Sequence, residues 1–300
     1  MFRNSPGRRA VLGLAAAAAL TLSLAACGSE TDTTSSTPIA SASADTSLAD
    51  KVPADIKAAG KLVIGTDSSY APNEYLDTDG KTVIGFDVDL FNAVAQKLGL
   101  TTEWQSATFD SIIPGVTSGK YNVGVSSFTV NADREKEAAM ISYFSAGTQW
   151  AAKAGVTITP DDACGKKIAV QTGTVQVDDI TAKSKACTSG GKTKITIDQY
   201  QKQSDATNAV VTGKDDAMLA DSPVCAYAVK QTNGQLALAG DIYDSAPYGY
   251  VVAKDKTDFA NVIQQALQAL ITDGTYKTVL DKWGVTAGAI TAPEVNPKAS

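Results

Sequence analysis

Between Lys61 and Trp283, short runs rich in valine, isoleucine and threonine alternate with longer segments whose apolar residues recur at helical spacing. This alternation restricts the fold more than any other feature of the chain, because parallel strands need crossover helices and those helices then cover both sheet faces. Strands are expected at 61–66, 102–105, 121–125, 167–170, 194–197, 216–219 and 248–253. Gly85-Phe86-Asp87-Val88-Asp89-Leu90-Phe91 leads into a helix with Leu90, Val94, Ala95 and Leu98 on one face and Gly99 as its stop. Further helices are expected at 109–117, after Asn131, from about 174, at 205–211, after Asp221, at 257–271 and up to Trp283. The reading is an α/β fold with mainly parallel sheets. A chain of 300 residues has room for two lobes of roughly 100 to 150 residues each.

The N-terminus reads as an export signal. Arg3, Arg8 and Arg9 precede an apolar, alanine-rich run from Ala10 to Ala26 that ends in small residues. Leu24-Ala25-Ala26-Cys27 resembles the bacterial lipobox, which implies cleavage after residue 26, lipidation of Cys27 and a mature chain held on the extracytoplasmic face of the membrane. Residues 27–51 are mostly Ser, Thr, Ala and Asp, the composition of a flexible tether. Cys164 and Cys187 flank a strand–helix unit in an exported chain, so a disulfide between them is expected. Cys225 sits in an apolar helix and reads as a buried free thiol.

Removing the leader takes away three arginines and no acids, leaving 23 basic against 32 acidic residues and a net charge of −9. An acidic surface argues against a nucleic-acid partner. The chain has no histidine, which excludes His-based triads and His-ligated metals, and its cysteines lack zinc-site spacing. Neither a metal nor a cofactor is expected, and Asp87-x-Asp89 reads as two acids in a first helical turn rather than a metal site.

With the leader gone, Arg134 is the only arginine. Asn131 as an N-cap would put Arg134 near the third helical position, where the macrodipole disfavours a cation. A surface pair with Glu137 is one account of it. The other is that its planar fork grips a ligand carboxylate, with the Ser127 and Thr129 hydroxyls nearby. Gln171-Thr172-Gly173-Thr174-Val175-Gln176 follows a strand and opens a helix, either as an ordinary turn capped by Thr174 or as an anion-binding helix end. Asp221, before Ser222-Pro223, is explained equally by helix capping and by a ligand contact at the C-terminal edge of a strand. Asp67 holds the matching place after the first strand, with Tyr70 and Phe109 as an apolar wall.

Together these segments resemble the polar amino-acid family of bacterial solute-binding proteins that serve ABC importers. The likeness runs from about Lys61 to Val285 and is most specific at Gly85-Phe86-Asp87-Val88-Asp89-Leu90-Phe91-Asn92-Ala93-Val94-Ala95. It implies that Ser127, Thr129, Arg134 and Thr174 bind the α-carboxylate of an amino acid and that Asp221 binds its α-ammonium group. It also implies that Asp67, Tyr70, Phe109, Gln171 and Gln176 line the rest of the site. The family fold is a two-lobed, type II "Venus flytrap" with two hinge strands. On this chain that gives lobe 1 at 52–148 plus 247–289, lobe 2 at 153–243, hinges at 149–152 and 244–246, and a C-terminal tail at 290–300. Pro72-Asn73 replaces the Pro-Phe of many relatives, which implies a more polar side-chain pocket.

The expected function is capture of a free polar amino acid, basic or amide in preference to acidic, by a monomer that delivers it to a permease and its ATPase. An enzyme on the same frame, such as a dehydratase, is the alternative; it needs a placed general acid, with Glu74, Asp67 and Asp221 as candidates. A surface sensor that uses the fold without transport is the third reading.

Overall fold

The computed structural model describes residues 42–298. The export signal, Cys27 and most of the tether lie outside the described residues. Helices α1 (Thr46–Ala49) and α2 (Ala54–Ala59) precede strand β1 (Lys61–Thr66). Strands β2 (Ser69–Tyr70), β3 (Glu74–Leu76) and β4 (Val83–Ile84) form a small antiparallel sheet in that order. Then come α3 (Phe86–Lys97), β5 (Thr101–Ser106), α4 (Phe109–Thr117), β6 (Val123–Thr129), α5 (Ala132–Glu137) and β7 (Ala138–Lys153). The chain continues through β8 (Lys167–Gln171), α6 (Val175–Ser189), β9 (Thr196–Tyr200), α7 (Gln203–Thr212), β10 (Ala217–Asp221) and α8 (Ser222–Gln231). It returns along β11 (Leu236–Ala253) and ends in α9 (Thr257–Thr272) and α10 (Thr275–Trp283).

The large sheet has the order β5-β1-β6-β11-β7-β10-β8-β9. Its outer pairs are parallel, as the βα alternation requires, while β7 and β11 run antiparallel to each other and to their neighbours. These two strands are long enough to belong to both lobes. On β7 the pairing with β10 begins at Thr148, so the changeover falls at Ala146 to Thr148, ahead of the 149–152 expected. On β11 the register breaks between Ala239 and Tyr243 and again between Tyr243 and Ala246. Gly147 sits at this crossing because a Cβ there would lie 2.6 Å from the Tyr243 carbonyl oxygen.

Most expected elements are present, and the departures have physical causes. β6 starts at Val123 and runs on to Thr129, so Ser127 and Thr129 close a strand instead of forming the turn after it. The helix after Asn131 is only six residues long and passes directly into β7. β7 was missed because it is buried along almost its whole length on both faces, which erases the period-2 signature of a strand. The first half of β11 was missed for the opposite reason: Leu236 to Pro247 carries Gly, Asp and Pro and is largely exposed.

Both chain ends pack further than expected. Within the expected tether, Asp45 caps α1 through the Ser47 amide and Leu48 is buried with Val52 and Ile56. Within the expected tail, Val295 bridges Ile141, and Glu294 and Asn296 bond to Ser142 and Met140. Lobe 1 is cored by Phe86, Leu90, Phe91 and Val94 of α3 against Tyr248 and Tyr250 of β11 and Ile263 and Leu267 of α9. Each such side chain contributes roughly 1.5–3 kcal/mol when fully buried.

Cys164 and Cys187 form a disulfide, with Cα atoms 5.6 Å apart. It ties the start of β8 to the end of α6 in a lobe whose cores are smaller than that of lobe 1. Cys225 is buried and free; its thiol donates to the Gln149 carbonyl, and burial holds it in the thiol form. Closing a loop of this size contributes about 3 kcal/mol in the chain-entropy model. A Cys164→Ser/Cys187→Ser variant is expected to melt roughly 6–12 °C below the oxidised protein in calorimetry. An unchanged melting temperature would show the bridge to be energetically idle.

Candidate functional site

The lobes meet around a small cavity that their side chains nearly fill. Lobe 1 contributes Tyr70, Phe109, Ser127, Thr129 and Arg134; lobe 2 contributes Thr174, Val175, Gln176 and Asp221. The strand ends β6 and β10 and the helix starts α4, α5, α6 and α8 all point here, the edge where open α/β sheets gather ligand contacts.

Arg134 is placed by its own helix start. Asn131 caps α5 by accepting from the Arg134 amide at 2.9 Å, so the side chain leaves the first turn toward the cleft. Its guanidinium donates to the Thr129 carbonyl at 2.7 Å and, across the cleft, to the Gly173 carbonyl at 3.2 Å. It also lies 5.4 Å from the centroids of Phe109 and of Phe128, which stack on each other at 4.7 Å. A guanidinium gains from such faces, and its remaining donors stay free for an anion. Burial pulls its pKa down to about 10, opposed by the charges of Asp221 and Asp178, so it remains a cation at neutral pH. The alternative role, a surface pair with Glu137, is set aside because the guanidinium is committed to these carbonyls.

Asp221 occupies the N-cap position of α8, yet its side chain makes no capping bond. Its carboxylate instead accepts from the Tyr70 hydroxyl at 2.9 Å and the Gln176 amide at 2.8 Å. The Asp221 amide in turn donates to the Tyr70 hydroxyl at 3.1 Å. Burial pushes the carboxyl pKa up, opposed by Tyr248, Tyr70, Gln176 and the charge of Arg134. Thr174 likewise stands at an N-cap without capping; its hydroxyl donates to the Gln171 carbonyl at 2.8 Å, which leaves the first amides of α6 facing the cavity.

Asp67 and Gln171 do not line the cavity. Asp67 is buried and saturated, accepting from the Ser69 amide and hydroxyl, the Phe109 amide and, across the cleft, the Gln171 side chain at 3.0 Å. The two residues thus latch one lobe to the other. Burial pushes the Asp67 pKa up, opposed first by the Ser69 hydroxyl. Asn73 is also off the wall: it is fully buried and its amide donates to Ser127 Oγ at 2.8 Å, so its polarity is not available to a pocket. Asp87 and Asp89 do open α3, but Asp87 is fully buried against Ser127 and Tyr143, while Asp89 bonds to Lys282 and Trp283. Among the described residues no group of three or more His, Cys, Asp or Glu gathers as a metal site.

Sequence reasoning missed Phe128, Val175 and Tyr248. Phe128 alternates with Ser127 and Thr129 along β6, a period-2 signal that would have placed it on the opposite face. Tyr248, on the returning half of β11, pairs with Thr129 and reaches Asp221 only through tertiary structure.

Comparison with known proteins decides the family. The model of the bacterial extracellular solute-binding proteins, family 3, matches residues 62–286. The chain belongs to this family. It is 35% identical over 248 residues to an arginine-binding protein of Corynebacterium glutamicum, covering 82% of this chain and 81% of that one. Among solved structures it is similar to an ancestral arginine-binding protein bound to arginine, with a TM-score of 0.70 and 32% identity over 75% of this chain and 98% of the other. It is similar also to an ancestral amino-acid-binding protein that is a precursor of cyclohexadienyl dehydratase, with a TM-score of 0.69 and 30% identity over 76% and 97% of the two chains. The two-lobed, type II solute-binding fold follows from these matches.

The Tyr70 hydroxyl serves two lobe-2 groups at once. A Tyr70→Phe change leaves a buried carboxylate and a buried amide each short of a partner, at a cost of roughly 1–3 kcal/mol per orphaned group. Urea unfolding is expected to show that loss without a change of fold by circular dichroism.

Proposed function

We propose that this family-3 protein is anchored through a lipid on Cys27 to the extracytoplasmic face of the membrane, where it captures L-arginine and delivers it to an ABC importer. One observation carries the reading: Arg134 and Asp221 face the same small cavity from different lobes with opposite charge. An α-amino acid is the small metabolite that presents a carboxylate to the first and an ammonium to the second. Bound between them it contacts both lobes, so it stabilises the closed arrangement, and that differential contact is what an importer can read.

The choice of arginine rests on the arginine-binding relatives and on the local charge. The acids Asp221 and Asp178 act on Arg134, and Asp67 lies behind Gln171. An acidic side chain would meet this excess of negative charge. The enzymatic alternative needs an acid in reach of the ligand; Glu74 is fully buried behind Ser127 and does not line the cavity, which leaves Asp221 committed to the ammonium group.

Titration calorimetry of the mature chain is expected to show tight binding of L-arginine and much weaker binding of L-glutamate. Arg134→Ala should weaken arginine binding by about 30-fold or more, since a truncated partner of a buried charge contact costs about 2–5 kcal/mol. Unchanged affinity in that variant would overturn the assignment of the carboxylate clamp.

The anchor has its own test. Cys27→Ser is expected to release the protein from washed membranes into the soluble fraction and to abolish incorporation of labelled palmitate. Full membrane retention would remove the lipid from the reading.

A further inference from the structure

Behind the cavity wall lies a pair of acids for which the amino-acid-binding reading gives no role. Glu74 of β3 and Asp87 of α3 are both fully buried. They are brought together by Gly85, whose φ of +140° and lack of a Cβ let the start of α3 lie against the chain at Asn73; a Cβ there would fall 2.0 Å from the Asn73 carbonyl oxygen. The Phe86 and Asp87 amides then bond to the Pro72 and Asn73 carbonyls.

Both carboxyls converge on one residue. The Ser127 hydroxyl is 3.2 Å from Glu74 Oε2 and 3.2 Å from Asp87 Oδ2, and the Ser127 amide donates to Asp87 Oδ2 at 3.2 Å. Ser127 has a φ of +53°, left-handed backbone that a serine adopts only when its surroundings hold it there. Ser127 itself lines the cavity, while its Oγ is turned to Asn73, Glu74 and Asp87 behind the wall.

A hydroxyl has one proton to donate, and here the Asn73 amide already fills one of its acceptor positions. Two ionised carboxylates this close in a buried site repel strongly, and the foremost charges acting on Glu74 are Asp87 and Asp67, both acidic. One proton held between the two carboxyls removes the conflict. Asp87 accepts from the Tyr143 hydroxyl and from the Ser127 amide and hydroxyl, which is the donor set of an ionised acid. Glu74 accepts from the Ser126 hydroxyl and, with the single Ser127 proton given to Asp87, is left to donate to Asp87.

We propose that Glu74 and Asp87 act as positioning residues for the ligand cleft, sharing one proton so that together they lock Ser127 in its left-handed turn against the bound amino acid. This deepens the amino-acid-binding reading and rests on it for the ligand, but not for the proton. Burial pushes both carboxyl pKa values up, that of Glu74 further because the Asp87 charge adds to it. The titratable groups facing the pair are Tyr143 of β7, Tyr250 of β11, Tyr276 of α10 and Asp67 after β1.

The test uses the full mature chain with Glu74→Gln, whose amide keeps a donor toward Asp87, and Glu74→Leu, which keeps none. In the absence of amino acid, a raised native pKa means that stability present below the ordinary glutamate value of 4.5 is lost as pH rises through the native one. The melting temperature of the wild type should therefore fall relative to that of Glu74→Gln as pH is raised from 5 to 9. A parallel pair of profiles would overturn the shared proton. In calorimetry with L-arginine, Glu74→Leu should weaken binding about tenfold (near 1.4 kcal/mol) and Glu74→Gln should recover most of that loss, while wild-type affinity falls more steeply with rising pH than that of Glu74→Gln, beyond the loss both share as the ligand ammonium deprotonates. Wild-type affinity in Glu74→Leu would overturn the positioning role. A wild-type chain that ignores arginine would sink the ligand assignment, and the melting profiles would still decide the proton.

Discussion

Two opposite charges that do not pair with each other organise this molecule. Arg134 spends its donors on the carbonyls of Thr129 and Gly173, and Asp221 takes hydrogen bonds from Tyr70 and Gln176. Each is thus kept ionised by neutral dipoles, and neither is cancelled by a counter-charge in contact. In a partly buried cleft, where the effective dielectric is well below that of water, such a pair acts strongly on whatever lies between them. The choice of arginine over lysine follows from the same constraint. A planar fork binds two carbonyls at fixed angles, rests against the Phe109 and Phe128 faces and still presents donors outward, which a point charge on a flexible stem does not.

Holding those charges in one cleft is the task of the two antiparallel strands β7 and β11, which run through both lobes at the centre of the large sheet. Among the described residues, direct bonds cross the cleft between Tyr70 and Asp221, Asp67 and Gln171, Arg134 and Gly173, and Ser69 and Gln203. Polar bonds of this kind are each worth about 0.5–1.5 kcal/mol net, so the closed arrangement is favoured modestly by the protein itself. A ligand touching both lobes adds to that balance. Saturating Asp67 with four donors fits this latch role better than a role in gripping a side chain.

The outer strands, the amphipathic helices and the helix starts that aim at the cleft were all legible in the sequence, because each has a local cause: β-branched runs, apolar spacing, Asn131 as a cap, a lone arginine in an unfavourable helical position. Tyr70, Phe109, Ser127, Thr129, Thr174, Gln176 and Asp221 all line the cavity. The central strands were hidden because full burial removes alternation in β7 and exposure removes hydrophobicity in the first half of β11. Asp67, Gln171 and Asn73 turn away from the cavity for another reason. Proximity to a site along the chain says where a residue starts, and a buried polar side chain then turns toward the partner that satisfies it, here the opposite lobe or Ser127.

The segment Gly85-Phe86-Asp87 shows how far local logic can mislead. An acid in a first helical turn is explained by the macrodipole, which is worth about 0.3–1 kcal/mol at a surface. That term is too small to hold a carboxylate at 0% exposure, where burial costs several kcal/mol unless donors compensate. The donors come from Tyr143 on one hinge-bearing strand and Ser127 at the cavity. Tyr143 in turn stacks on Tyr250 of the other at 4.0 Å with the rings 3° from parallel. The glycine of the segment admits the chain, the phenylalanine fills the core, and the aspartate joins cavity wall to hinge through one unbroken set of buried contacts. That set ties the Ser127 end of β6 to the two long strands that run through both lobes.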